Sequence, residues 1–390
     1  MKGRTIKIET LEVPEASLEA VGFDDERRVE SGRGSKMPWG QATADRRREK
    51  LRQMFVKRDI EKRIVEVIGE ALADRHLHAE AQNVAIYGET GVGKSEIAKR
   101  ILAAHPEHRD PKTGCIVRPV LYTDVRNSST PKAAAVAMLV QLATFQGKPL
   151  EDIEKLILSV KTMSVPDITR RVKTQMMGQG VILSILDEFH NTVTDNGAVR
   201  LNRIAEWVKD FAKTKSRSAA KLDGDLSETI VFVLVGTRKI KSIIEPTLNA
   251  ELASIAPYRV EVNRYGYVSD DEKEVFHEFL EELDRELPFD EYSDLDLPEM
   301  AEKLHMASFG LLRQLGIIIV KAADLAIRDG SDRIYEHHLH AAVELKRGVL
   351  ESHLISEDAE PQDKRVFENP FTPPLLPVRE KRRSRDGLTE

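Results

Sequence analysis

Cysteine is nearly absent from this chain. Cys115 is the single one in 390 residues, which excludes an intramolecular disulfide and any cysteine-rich zinc site. Long apolar runs are missing too: no stretch approaches the roughly 18 residues a bilayer span requires, and the longest candidates are cut by Lys, Arg or Asp. The opening Met1-Lys2-Gly3-Arg4 leads into mixed polar sequence without the apolar segment of a secretory leader. No internal repeat is visible. These absences describe a soluble, cytoplasmic chain with no membrane partner. What is present is enough for real cores: apolar residues make up 41% and charged residues 32%, which excludes a collagenous or wholly disordered protein. A length of 390 residues points to two or three domains.

The net charge of −6 is unevenly placed. Asp270 to Glu299 holds fourteen acidic and two basic residues, so the remainder of the chain is positive. Asp45 to Arg58 holds seven basic and two acidic residues, and Arg379 to Arg385 holds five basic and one acidic. Clusters of this size can neutralise phosphates and release counterions; they can equally be a solvated helix face and a flexible tail.

Periodicity divides the chain. Residues 1–44, with Gly32, Gly34, Pro38, Gly40 and a lone Trp39, read as an extended arm whose aromatic either anchors a partner or folds back on the body. Residues 45–266 read as an α/β domain. A helical face is carried by Ile60, Ile64, Val67, Ile68, Ala71 and Leu72, and buried strands are expected at 83–87, 117–123, 181–186, 229–235 and 259–262. Helices are expected between them at 95–104, 133–144, 150–160, 167–177 and 199–213. Strands alternating with helices imply a parallel sheet flanked by helices. Four further helices over 267–350 form a small all-helical lid, and 351–390, with five prolines, reads as a disordered tail. Within that tail, Glu368 to Pro374 has the stiff, extended form of a segment that docks on a partner.

Gly88-Glu89-Thr90-Gly91-Val92-Gly93-Lys94-Ser95 fits G-x-x-x-x-G-K-[ST] at every fixed position, between an expected strand and an expected helix. Gly91 and Gly93 let the backbone curl so that successive N–H groups face phosphate oxygens, helped by the helix N-terminus. Lys94 supplies a point charge for the β- and γ-phosphates, and the Ser95 hydroxyl a ligand for Mg²⁺. The whole turn from Gly88 to Glu96, including Glu89, Thr90 and Val92, is assigned to the nucleotide. The apolar run 181–186 ends in Asp187-Glu188, where Asp187 suits the metal and Glu188 suits a base for an attacking water. Thr237, at the end of the 229–235 strand, either reaches the γ-phosphate or caps the strand. Arg313, on the first turn of a helix, either folds over the phosphates or is a surface arginine. His190 and Asn191 either sense substrate or cap the following helix. His337, His338 and His340 lack a cysteine companion and read as solvated histidines.

Together these features resemble the AAA+ ATPases over about residues 45–350. Ile185-Leu186-Asp187-Glu188-Phe189-His190-Asn191, with Val235-Gly236-Thr237 and Leu252-Ala253-Ser254, is similar to the TniB/TnsC transposition regulators, including those of CRISPR-associated transposons. The resemblance implies a P-loop fold with a helical lid that binds ATP and Mg²⁺. It places Thr237 as the first sensor and Arg313 as the second. It further implies a bacterial, DNA-associated protein that assembles as a ring or helical filament on double-stranded DNA. Such an assembly links a TniQ/TnsD-type target selector to a DDE transposase of the TniA/TnsB type and comes apart on hydrolysis. Arg126 and Lys132 would touch the DNA backbone, unless they are ordinary loop charges. Relatives often carry an arginine finger after Leu-Ala-Ser; here Ile255 stands there, and Arg259 is the substitute. A replication initiator or helicase loader, expected to add a winged-helix domain after residue 350, and a DNA-independent nucleotide-gated scaffold are the alternatives.

Overall fold

The computed structural model describes residues 36, 38–75, 77, 81–109, 111, 114–128, 130–193, 204, 206–211, 229–244, 256–351 and 367–372. They form two compact units: Val56–Arg264 with Leu311–Arg313, and Lys36–Phe55 with Tyr265–Gly310 and the residues from Gln314 onward.

In the first unit the strands are β1 Val84–Gly88, β2 His108–Arg109, β3 Ile116–Val117, β4 Val120–Asp124, β5 Leu183–Asp187, β6 Val231–Gly236 and β7 Tyr258–Val262. Five of them make a parallel sheet in the order β4-β5-β6-β1-β7. β1, β5 and β6 are buried along their whole length, as continuous apolar runs require when helices cover both faces. Helices Lys94–Ala104, Pro131–Phe145, Leu150–Val160 and Val165–Gly178 follow the expected positions closely. The register aligns the strand ends: Tyr87 pairs with Gly236, Gly88 with Val262 and Asp124 with Asp187. Chemistry-bearing residues just past β1, β5 and β6 therefore share one edge of the sheet.

The strand expected at 117–123 is broken at Arg118-Pro119. Proline offers no N–H to a ladder, and the Arg118 N–H is taken by the Gln179 carbonyl at 2.8 Å. The piece before the break pairs instead with His108–Arg109 in a small antiparallel hairpin that the hydrophobic pattern does not announce. Of the expected 199–213 helix, Ile204, Val208 and Phe211 are buried among Trp207 and Phe232; Leu201 lies outside the described residues.

The second unit holds helices Ala44–Gln53, Asp270–Glu286, Pro298–Ser308, Leu312–Asp329 (beyond Arg313) and Glu336–Glu351. A full capping box, Ser269 with Glu272, starts the second of these. Helix 44–53 belongs here and not with the sheet, where the sequence reading began the α/β domain. Charge explains the difference. Lys36 Nζ lies 3.2 Å from Asp284 Oδ1, with both side chains buried, and Asp284 also accepts the Ser293 and Leu295 N–H groups. Asp290 accepts the N–H groups of Trp39 and Gly40, Lys50 pairs with Glu286, and Arg48 pairs with Asp324 at 3.0 Å. Two basic residues of the 45–58 run, Arg48 and Lys50, are thus paired with acids of their own unit, Lys50 with the acidic 270–299 stretch. Residues 1–35 and 373–390, with the rest of the arm and the basic run 379–385, lie outside the described residues.

Two more expectations change in this unit. His338 is buried, not solvated: its Nδ1 accepts the Tyr335 N–H at 3.0 Å and its Nε2 lies 2.7 Å from Asp329 Oδ2. A ring holding an N–H donor at Nδ1 carries its proton on Nε2, so His338 braces the start of helix 336–351. His337 and Asp329 lie nearby and are exposed. The 367–372 segment is ordered, with Phe367, Asn369 and Phe371 buried. Asn369 Nδ2 donates to the His340 carbonyl and to Glu344 Oε1, and Arg347 reaches the Phe367 carbonyl. The segment read as a docking motif for a partner docks on its own chain. Phe371→Ala is expected to destabilise this unit by up to about 3 kcal/mol, the low end for a buried phenylalanine because a short segment can detach. Chemical denaturation followed by circular dichroism measures it. Deletion after residue 355 should behave similarly while leaving nucleotide binding intact. Among the described residues no helix is long and apolar enough to cross a membrane.

Candidate nucleotide site

The turn after β1 is built by its glycines. Gly91 and Gly93 sit at φ of +92° and +93°, a left-handed conformation that side chains resist. Gly93 is the N-cap of helix Lys94–Ala104 and supplies no side-chain cap, so the positive end of the helix faces the turn, the end that favours an anion. Space is equally tight: a Cβ on Gly91 would lie 3.2 Å from Arg313 Cβ, and one on Gly93 would lie 2.9 Å from Arg58 Nη2. The Arg313 N–H donates to the Gly91 carbonyl at 2.9 Å, which brings the expected second-sensor residue to the turn; its side chain is exposed. Arg58 is buried at the start of helix Asp59–Asp74 and pairs with Glu61 at 3.3 Å. The sequence reading passed over it because it sat inside a basic cluster.

Lys94 Nζ donates to the carbonyls of Gly88 and Glu89, the first at 3.0 Å. Glu89 does not present its carboxylate to a ligand. It is buried between Arg264, 2.9 Å from its Oε2, and Arg238, 3.1 Å from its Oε1, so it straps the turn to the ends of β6 and β7. Thr90 and Glu96 are exposed, Val92 is buried, and Ser95 is half-buried in the first helical turn.

Asp187 is buried at the end of β5 with each oxygen engaged once. Oδ1 accepts the Glu188 N–H at 2.9 Å and Oδ2 accepts the Tyr122 hydroxyl at 2.7 Å. Tyr122 was also missed: it shares a sheet face with Asp187 only once the register Tyr122–Ile185 is known. Burial, then the bond to Asp187, pushes the Tyr122 hydroxyl far above its ordinary pKa, which keeps it a donor. Glu188 stands at φ +60°, unusual for a residue with a side chain. Its half-buried carboxyl is raised above the ordinary carboxylate range, first by desolvation and then by the charge of Asp187, against the lowering pull of Arg126 and Lys94. Both changes increase its basicity.

Thr237 is buried past the end of β6, and its Oγ1 has no hydrogen-bond partner. A buried hydroxyl left unpaired costs about 1–3 kcal/mol, so the position is poised for a polar ligand. Arg126 is exposed, pairs with Asp124 at 3.4 Å and lies within electrostatic reach of Glu188. The Lys132 ammonium donates to the Lys161 carbonyl at 2.8 Å. Arg259 lies on the edge strand, paired with Ala85, three residues back from the end of β7, and donates to the Ala256 carbonyl. That sets it about 10 Å behind the turn at 3.3 Å per residue. Leu252 to Ile255 lie outside the described residues.

A strand–turn–helix with this glycine geometry, beside an Asp-Glu pair on the second strand over, matches a known family: residues 77–244 fit the model described as AAA domain. The sheet order and the turn are those of the AAA+ P-loop fold. The match spans less than half of the 390 residues. Solved structures with a similar course include the ORC1 protein of Aeropyrum pernix in complex with DNA, at 18% identity and a TM-score of 0.50, covering 79% of this chain and 71% of that one. Cdc6p of Pyrobaculum aerophilum, at 11% identity and 0.47, covers 75% and 69%. A RuvB mutant of Thermotoga maritima, at 14% and 0.39, covers 76% and 72%. Identities this low speak of fold alone. No curated protein matches this sequence.

Proposed function

We propose that the chain is an ATP-hydrolysing switch that assembles on double-stranded DNA and licenses transposition. One observation carries the hydrolytic part. The carboxyl ends of the neighbouring strands β5, β6 and β1 hold, in one unit, an acid pair, an unpaired buried hydroxyl and a phosphate-shaped turn. The N–H groups of the turn and of the following helix bind the phosphates, and Lys94 turns from its own loop carbonyls to the β- and γ-phosphates. Thr237 Oγ1 pairs with the γ-phosphate or the lytic water. Glu188 takes the proton from that water, and its raised basicity favours the transfer. Mg²⁺, when bound, neutralises charge on the phosphates, and Ser95 and Asp187 would hold it. The donor set fits: each Asp187 oxygen has one lone pair uncommitted, and Tyr122 stops the carboxylate from turning.

The DNA and transposition parts rest on the resemblance of Asp187-Glu188-Phe189-His190-Asn191 and its companions to the TniB/TnsC regulators. In this reading a TniQ/TnsD-type selector and a TniA/TnsB-type transposase are the protein partners, Arg259 is a trans-acting finger, Arg313 reports nucleotide state, and Arg126 and Lys132 contribute backbone contacts. Negative-stain microscopy with duplex DNA and a slowly hydrolysed ATP analogue tests it. Polymers whose length follows the DNA are expected at low salt, with affinity falling steeply as salt rises. Lys94→Ala should abolish nucleotide binding and assembly together. Discrete particles would favour a loader or initiator, and indifference to DNA a scaffold; a chain that stays monomeric on DNA with nucleotide sinks the assembly claim.

A further inference from the structure

Between Glu188 and Thr237 stands a single imidazole. His190 Nδ1 accepts the backbone N–H of Thr237 at 3.3 Å. A ring nitrogen that accepts carries no proton, so the hydrogen sits on Nε2. That Nε2 lies 3.5 Å from Glu188 Oε2, a gap that a small turn of the carboxylate closes into a hydrogen bond. The ring is well fixed. It rides on the short helix Phe189–Val193, which is pinned by buried Phe189, by the Thr192 hydroxyl on the Phe189 carbonyl and by two bonds from Asn191 to the Glu188 carbonyl. Space for the ring exists because residue 236 is glycine: a Cβ there would lie 3.0 Å from His190 Nδ1 and 2.6 Å from Ile240 Cδ1.

We infer that His190 is a positioning residue for Glu188, holding one carboxylate oxygen through Nε2–H while its other nitrogen is anchored on the end of β6. This rests on the ATPase reading above. One oxygen of Glu188 is thereby fixed and the other is left to accept the proton of the attacking water. Because the anchor is the main chain of Thr237, a ligand that engages the Thr237 hydroxyl is felt at the base through the same ring. Asn191 contributes only the helical cap, which separates two roles the sequence left joined.

Side-chain geometry supplies the test. Glutamine places an amide N–H where Nε2–H stood but has no acceptor at the Nδ1 position; asparagine keeps the acceptor and loses the reach to Glu188. In steady-state ATPase assays on the full chain, His190→Ala is expected to lower kcat about tenfold or more, with KM and the affinity for a fluorescent ATP analogue within about twofold. His190→Gln should recover kcat to within about threefold of wild type, and His190→Asn should not. Equal recovery by both variants, recovery by Asn alone, or an unchanged kcat in His190→Ala overturns the inference while leaving an active wild type and the ATPase reading intact. If His190→Ala does not fold, the Gln and Asn pair decides alone. A wild-type chain that neither binds nor hydrolyses ATP overturns both.

Discussion

Glu188→Gln is expected to bind ATP about as well as wild type and to hydrolyse it at least about 100-fold more slowly, the usual contribution of a general base. The substitution preserves shape and removes the group that can take a proton. Asp187 does not replace it in this reading: the Glu188 N–H and the Tyr122 hydroxyl hold its carboxylate in place, and its remaining lone pairs are assigned to Mg²⁺. The amide also removes a charge that burial, and then the neighbouring Asp187, disfavour, so the folded chain should lose no stability. Phosphate release and a fluorescent nucleotide analogue separate the two quantities. If ATP holds copies together on DNA, the variant should accumulate the assembled form. Turnover within about threefold of wild type would show that the water is activated elsewhere.

Gly88→Ala should have the largest effect on folding. A methyl group there would sit 2.0 Å from the Val262 carbonyl oxygen, inside the β1–β7 ladder where Gly88 pairs with Val262. Backbone cannot swing away as a side-chain tip can, so β7 must separate from β1. The expected loss is about 4 kcal/mol or more, at the extreme of single substitutions, and a fall in Tm of about 8–16 °C. Gly69→Ala is the control. It lies inside helix Asp59–Asp74 with nothing within 4 Å of the added carbon, so it should stabilise by about 0.5–1 kcal/mol. Similar melting curves for the two variants would refute the packing argument.

The placement of residues at the sheet edge was legible because it is local. A phosphate turn needs its glycines, lysine and serine within eight residues, and a strand buried on both faces shows itself as an unbroken apolar run ending in acids. The parallel sheet followed from strands and helices in alternation. Tyr122, Arg58 and the two guanidiniums on Glu89 were not legible, since each joins the site through register or through a contact far along the chain. Arg264 is 175 residues from the Glu89 it holds. Charge misled for a similar reason. The basic residues of 45–58 could be read as available to DNA or as a solvated helix face, whereas Lys50 meets Glu286 from 236 positions away. The hairpin of β2 and β3 is two residues a side, too short to show any period. Phe371 looked like bait for another protein because a proline-rich setting says nothing of where an aromatic ring is buried.

Lys36 and Asp284 are separated by 248 residues, yet they share one buried ion pair. During synthesis, at about 5–20 residues per second, the lysine leaves the ribosome roughly 12–50 s before its carboxylate does. All seven strands are synthesised in the interval, so the early, cationic segment waits for its acid while the parallel sheet forms behind it. A chaperone or a nascent-chain neighbour has its best opportunity in that window, and a fragment begun at Val56 would leave Asp284 without the cation that its pocket encloses.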